Sequence, residues 1–98
     1  MIPLAPEKIT GELKTIPDWA HRAKTIVRTF KLDSFLTSIA FVRRVAKRAE
    51  KLQHYPDIGI QFDQVTLTLT THDAGGLTAK DFFMAAECEK IFANFLEP

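Results

Sequence analysis

Asp57-Ile-Gly-Ile-Gln-Phe-Asp-Gln-Val-Thr-Leu-Thr-Leu-Thr70 is the stretch whose reading decides the fold. Ile58, Ile60 and Phe62 alternate with other residues, Asp63-Gln64 can turn the chain, and Val65, Leu67 and Leu69 alternate with Thr66, Thr68 and Thr70. Strand side chains point to opposite faces with a period of two, so the pattern predicts a half-buried antiparallel hairpin. Upstream, β-branched and aromatic residues gather between Trp19 and Leu32, and the polar break Arg22-Ala-Lys24 divides them into two more strands, the second being Thr25–Leu32. Between the hairpins, Asp33 or Ser34 can cap a long helix. Its Phe35, Ile39, Val42, Ala46 and Ala49 recur at steps of four and three, the expected core face, with Arg43, Arg44, Lys47, Arg48 and Lys51 on the opposite arc. Pro56 then biases Tyr55 away from helical geometry and forces the chain out of the helix.

The two ends complete the order. Pro6-Glu-Lys-Ile-Thr-Gly-Glu-Leu-Lys14 reads as a short helix with proline in its first turn, closing before Pro17. Thr78-Ala-Lys-Asp81 is a variant capping box with Leu77 and Phe82 at staple positions, opening a helix through Phe83, Ala86, Ile91, Phe92 and Phe95. The expected class is α+β: a four-stranded antiparallel sheet with helices packed on one face, in the order α-β-β-α-β-β-α, forming one domain over residues 1–98.

Composition narrows the function classes. A chain of 98 residues, 46% hydrophobic, buries about 60–65% of its unfolded surface, so a site is expected at an edge or between subunits. The single cysteine, Cys88, excludes an intrachain disulfide and a Cys-x-x-Cys metal site, and fits a reducing compartment. Met1-Ile-Pro-Leu-Ala-Pro6 lacks the basic start of a secretory signal and no run approaches a membrane span, so a cytoplasmic location, or a nuclear one, is expected, with no membrane partner. Residues 1–51 carry 11 Lys and Arg against 5 Asp and Glu, whereas residues 52–98 carry 2 against 7, giving +6 and −5. Interleaving of such charges on one surface is the usual outcome in a compact domain. The basic arc of the long helix has no interleaved aromatic platform, which argues against nucleic acid. Gly75-Gly76 lacks the Lys-Ser/Thr ending of a phosphate loop and reads as a turn. Ser34 and Ser38 lie at the far end of the helix from His54, with no nucleophile turn around either, and His21 has no supporting neighbours.

The residues able to move protons gather in one pattern. Glu50 is followed after three residues by His54, then Tyr55-Pro56, after five more by Phe62, after nine by His72, and after eight by Asp81. With Arg28-Thr-Phe-Lys-Leu-Asp-Ser-Phe35, Arg43-Arg-Val-Ala46, Ala49-Glu-Lys-Leu-Gln-His-Tyr-Pro56 and Thr70-Thr-His-Asp-Ala-Gly-Gly-Leu-Thr78, this resembles the pterin-4a-carbinolamine dehydratase family over about residues 10–95.

The resemblance implies dehydration of a 4a-hydroxytetrahydropterin, such as 4a-hydroxytetrahydrobiopterin, to the quinonoid dihydropterin. That reaction recycles the cofactor of aromatic amino acid hydroxylases. It needs no cofactor or metal, because expelling water from a carbinolamine requires only a proton taken from the ring nitrogen and one delivered to the leaving hydroxyl. Histidine suits both tasks near neutral pH. By position His54 and His72 fall on the family's active-site histidines, Asp81 on their acidic partner and Glu50 on the acidic residue that opens the signature, with Pro56 and Thr71 in the substrate-binding stretches. Asp81 is equally placed to partner Thr78 in the capping box, and Glu50 to serve as an ordinary helix-surface carboxylate. Tyr55 departs from the pattern: the family usually carries a second histidine there, and a phenol can donate a hydrogen bond but is a poor neutral-pH base. Ile58 also departs, at a position often aromatic. The family assembles as dimers or tetramers, so a homodimer or homotetramer is expected, and the exposed edge of a four-stranded sheet offers a route to it. Some members bind a transcription factor, which implies an alternative: a non-catalytic interaction protein, or transcriptional dimerisation coactivator, of the same fold. A transcription factor or a hydroxylase is then the protein partner.

Overall fold

The computed structural model describes residues 1–96. Helix α1 (Pro6–Leu13) precedes strands β1 (Ala20–Arg22) and β2 (Thr25–Lys31), helix α2 (Phe35–Leu52), strands β3 (Asp57–Gln61) and β4 (Gln64–Leu69), a 3-10 turn (His72–Ala74) and helix α3 (Ala79–Leu96). The four strands form one antiparallel sheet in the order β1-β2-β4-β3. The α+β class and the element order read from the sequence are those of the structure.

Register explains which residues make the core. Ile26, Arg28 and Phe30 of β2 lie opposite Leu69, Leu67 and Val65 of β4, placing all six on one face. Ile26, Phe30, Val65, Leu67 and Leu69 are buried there under α2 and α3. On the other face, Thr29 and Thr66 lie opposite one another with their hydroxyls 2.9 Å apart. Phe30 meets Phe41 of α2 and Phe92 of α3 at ring-centroid distances of 4.9 Å each, and Trp19 closes the cluster at 6.1 Å. Such aromatic pairs contribute about 0.5–1.5 kcal/mol each beyond their burial.

The core face of α2 is displaced from the expected one. Ser38, Phe41, Val45 and Ala49 are buried, whereas Phe35, Ile39 and Ala46 are exposed and Val42 is half buried. At 100° per residue the apolar arc of this helix is broad enough to hold two stripes. Phe41 leads the one chosen because its ring meets Phe30 and Phe92, and Val45 is buried in the same cluster. The basic arc is correspondingly part of the helix interface: Arg48 pairs with Glu87 of α3 at 2.7 Å, and Arg44 stands 5.7 Å from the Phe95 ring.

The charge asymmetry resolves inside the chain. Arg28 reaches Glu89 at 2.9 Å, Arg48 reaches Glu87, and Lys31 pairs with Asp63, each joining a cation of the basic half to an anion of the acidic half. Glu89 also accepts from the Trp19 indole at 2.9 Å, so one carboxylate ties β2 and the segment before β1 to α3. Lys90 first, then Arg48, hold the Glu87 carboxyl below the usual carboxylate range.

Two boundaries differ from the sequence expectation. The β3–β4 loop is Phe62-Asp63 rather than Asp63-Gln64, since Gln61 pairs with Gln64, and the Leu32 amide donates to the Asp63 carbonyl at 2.8 Å. Phe62 therefore leaves the alternation and stands at the hairpin tip with φ +56°. Helix α2 ends at Leu52, before Pro56 can act. Gln53 turns left-handed at φ +53°, and reverse bonds run from the Gln53 amide to the Glu50 carbonyl and from the His54 amide to the Ala49 carbonyl. This is a Schellman ending.

Candidate active site

Four local devices bring the proton-carrying side chains together. The reverse bonds at the end of α2 turn His54 back toward the body of the protein, since its amide is held by Ala49. Beyond β4, Thr71 bridges to Gly76 and the chain closes a tight turn, with Gly75 at φ +71°. Only glycine takes that conformation without crowding its Cβ. His72 opens this turn, as the first residue of the 3-10 segment that follows the sheet, and is exposed. Finally, Thr78 caps α3, its hydroxyl accepting from the Lys80 amide at 3.3 Å.

Asp81 is the centre of the arrangement. It is 0% exposed, yet each carboxylate oxygen is engaged. Oδ1 lies 2.6 Å from His54 Nε2, and Oδ2 accepts from Thr71 Oγ1 at 2.8 Å and from the Thr78 amide at 2.9 Å. A buried carboxylate is tolerated only when its oxygens are satisfied in this way. Asp81 divides its two oxygens: one closes the helix end and the other faces the imidazole. With Asp81 as acceptor, the His54 Nε2–H donates and Nδ1 is left as the ring's free acceptor.

Outside this pair lies an open cleft of about 230 Å³, lined by Gln53, His54, Tyr55, Thr70, Thr71, His72, Asp73 and Lys80. The structure thus brings His54, Tyr55, Thr71 and His72 to one cleft, with Asp81 beneath. Glu50 and Pro56 do not line it. Glu50 instead accepts from the Tyr55 hydroxyl at 2.8 Å, and this hydrogen bond, with smaller contributions from burial and from the Glu50 charge, raises the Tyr55 phenol above its ordinary value of 10.0. Tyr55 is accordingly a hydrogen-bonding group here. Gln53 and Lys80 were not found from the sequence, because a left-handed glutamine and a lysine in a first helical turn carry no signal until the fold places them at the cleft. His21 stands on β1, where it faces a different hollow with Lys24, Gly75 and Gly76.

Residues 2–91 match the family profile described as pterin 4 alpha carbinolamine dehydratase. A protein of Chloroflexus aurantiacus is 50% identical over 88 residues, covering 90% of this chain and 95% of its own length. One from Gloeobacter violaceus is 51% identical over 87 residues, covering 85% and 95%. Both bear the name pterin-4-alpha-carbinolamine dehydratase as a provisional assignment. A crystal structure from Brucella melitensis, titled a transcriptional coactivator/pterin dehydratase, superposes with a TM-score of 0.87 at 31% identity, over 91% of this chain and 97% of that one. A pterin dehydratase-like protein described as a RuBisCO assembly factor of the alpha-carboxysome shares the fold, with a TM-score of 0.63 at 19% identity, over 76% and 86%. Profile, relatives and superposition agree that the chain belongs to the pterin-4-alpha-carbinolamine dehydratase family.

Proposed function

We propose that this protein dehydrates a 4a-hydroxytetrahydropterin to the quinonoid dihydropterin, with His54 and His72 as the proton-transfer pair. The observation that carries the reading is the His54–Asp81 contact of 2.6 Å beneath a cleft that also presents His72. Asp81 fixes the imidazole and stabilises it when it takes a proton. In the reaction, His54 Nδ1 accepts the proton from the pterin ring nitrogen, the ring nitrogen's electrons form the C=N bond, and the C4a–O bond breaks as His72 protonates the departing hydroxyl. One water leaves, and redox balance is unchanged. Thr71 holds Asp81, and Tyr55 offers its phenol ring to the substrate while its hydroxyl is held by Glu50.

The reaction belongs in the cytoplasm, where it would restore the cofactor of an aromatic amino acid hydroxylase. Among the described residues no helix is long and apolar enough to cross a membrane. The test is the dehydration rate of freshly generated 4a-hydroxytetrahydropterin with the native chain, His72→Ala and Tyr55→His. A native rate above the uncatalysed one, reduced about 100-fold or more in His72→Ala, is the expected result. No native activity, recovered by Tyr55→His, would move the reading to a non-catalytic interaction protein. That second reading draws on the uncovered α2 stripe of Phe35, Leu36 and Ile39, and on the coactivator title of the Brucella relative.

The quaternary part of the proposal is a two-fold dimer through β3. The other edge strand, β1, has only three residues and is followed by Lys24, whereas β3 has five, with no lysine, proline or bulge within it. Ile58 and Ile60 share the core face of the sheet yet are each 38% exposed. A molar mass of one chain by light scattering at millimolar concentration would overturn this.

A further inference from the structure

The cleft is small for a bicyclic ligand. Its volume of about 230 Å³ falls short of the roughly 300–1,000 Å³ usual for small-molecule sites. A second hollow, of about 300 Å³, is lined by Leu52, His54, Ala79, Lys80 and Phe83. His54 and Lys80 line both spaces, so the two are halves of one depression that meet at the imidazole. Consecutive residues are divided between them: at the left-handed turn that ends α2, Leu52 lines the hollow and Gln53 the cleft.

The halves differ in chemistry. The cleft presents the hydrogen-bonding groups of Gln53, Thr70, Thr71 and Asp73 beside Tyr55 and His72, whereas the hollow has no polar side chain beyond the two shared ones. Leu52 packs against the hydrophobic core, which fixes one wall. The facing wall belongs to α3, where Ala79 and Phe83 stand one helical turn apart on the same face. Phe83 is 53% exposed between the buried Phe82 and Met84, so its ring gives carbon surface to the hollow rather than to the core.

A 4a-hydroxytetrahydropterin has the same division. The ring nitrogen that loses its proton, N5, is bonded to C4a on one side and to C6 on the other. C4a leads to the pyrimidine ring with its amino, N–H and carbonyl groups, and C6 carries the substituent by which pterins differ. With N5 at His54, the pyrimidine end requires hydrogen-bonding partners, which the cleft has, and the C6 end extends past the imidazole into the other half. We propose that the hollow of Leu52, Ala79 and Phe83 receives the C6 substituent and selects substrates in which that group is short and apolar over those in which it is polyhydroxylated. A hydroxyl held against these three side chains gives up water without gaining a partner. The inference rests on the pterin reading, and the experiment separates the two.

The test compares two C6 substituents of equal length, propyl and 1,2-dihydroxypropyl, on the native chain and on Phe83→Gln. Phe83 is exposed and glutamine is a good helix former, so the variant keeps the fold. For each chain the readouts are the ratio of kcat/KM for the two 4a-hydroxytetrahydropterins and the ratio of Kd for the two 7,8-dihydropterins, in which any common loss cancels. The native chain should favour propyl about tenfold in both, and Phe83→Gln should bring both ratios close to one. A native ratio near one, or a preference that Phe83→Gln leaves unchanged, overturns the assignment of the hollow and leaves the pterin reading standing. If both dihydropterins bind and neither carbinolamine is dehydrated, the catalytic reading fails and the Kd ratio alone decides the hollow. If neither ligand binds or reacts, the pterin reading falls and this inference with it.

Discussion

Two carboxylates serve the neighbouring residues His54 and Tyr55 in opposite ways. Asp81 is wholly buried and accepts from a hydroxyl and an amide while touching an imidazole; Glu50 sits on the exposed end of α2 with a single phenol as partner. The contact distances, 2.6 and 2.8 Å, barely differ. What differs is how many other groups determine the geometry. Asp81 is fixed from Thr71 just beyond β4, from the cap of α3 and through its own backbone amide, so several bonds besides the imidazole contact hold its carboxylate in place. Glu50 competes with water for Tyr55, and exposed pairs of that kind contribute little to stability.

The largest expected effect therefore comes from Asp81. Asp81→Ala leaves the Thr78 amide, the Thr71 hydroxyl and the His54 ring without their buried acceptor, a loss of about 3 kcal/mol and roughly 15 °C in Tm for a domain of this size. Asp81→Asn keeps the shape and one acceptor oxygen, so by thermal denaturation it should lose less than half as much. Its dehydratase rate should nevertheless fall about 100-fold or more, because an amide facing the imidazole no longer fixes the donor state of Nε2. Equal losses of stability in the two variants would break the contrast between cap and site.

A smaller effect isolates one of the three supports. Thr71→Val removes the hydroxyl that donates to Asp81 and lies 2.8 Å from the Thr78 hydroxyl, while keeping the branched shape in the buried position after β4. One unmade buried hydrogen bond costs about 1–2 kcal/mol, read as a shift of the urea midpoint at constant slope. Activity should fall far less than in Asp81→Asn, since His54 and the Thr78 amide still hold the carboxylate. A loss of activity as large as that of Asp81→Asn would assign Thr71 a direct role toward the substrate.

How much of this was legible in the chain follows the same division. The Ile58–Thr70 alternation, the capping box and the proton-carrying spacing are local patterns, and each marked its element without the fold. The face of α2 was not, because Phe35, Ile39 and Ala46 satisfy helical periodicity as well as Ser38, Phe41 and Val45, and only the meeting of Phe41 with Phe30 and Phe92 chooses between them. The position of Phe62 was hidden for a related reason: a register set by Gln61 and Gln64 moved it from strand to loop. The family resemblance implied that Asp81 partners a histidine, but Thr71 as a donor to its second oxygen required the Thr71–Gly76 bridge. Glu50 and Tyr55, five residues apart across the helix end, were both singled out, yet their bond to one another depends on the left-handed turn at Gln53.

The smallest effect is also the cleanest to measure. The phenol of Tyr55 donates to Glu50, which stabilises its neutral form, so its pKa lies above 10.0 in the folded protein. Glu50→Ala removes the hydrogen bond and the nearby negative charge together, and the ultraviolet titration of the single tyrosine should move down toward 10.0. The sign for stability follows from linkage. In the native chain the unfolded state loses the phenol proton first as pH rises, so the pair's contribution is complete below about pH 10 and disappears as pH climbs through the folded value. Glu50→Ala should flatten that alkaline decline while leaving neutral-pH stability nearly unchanged. An unmoved titration would mean that Tyr55 does not rest on Glu50 in solution, and its ring would then line the cleft without the anchor that Glu50 supplies.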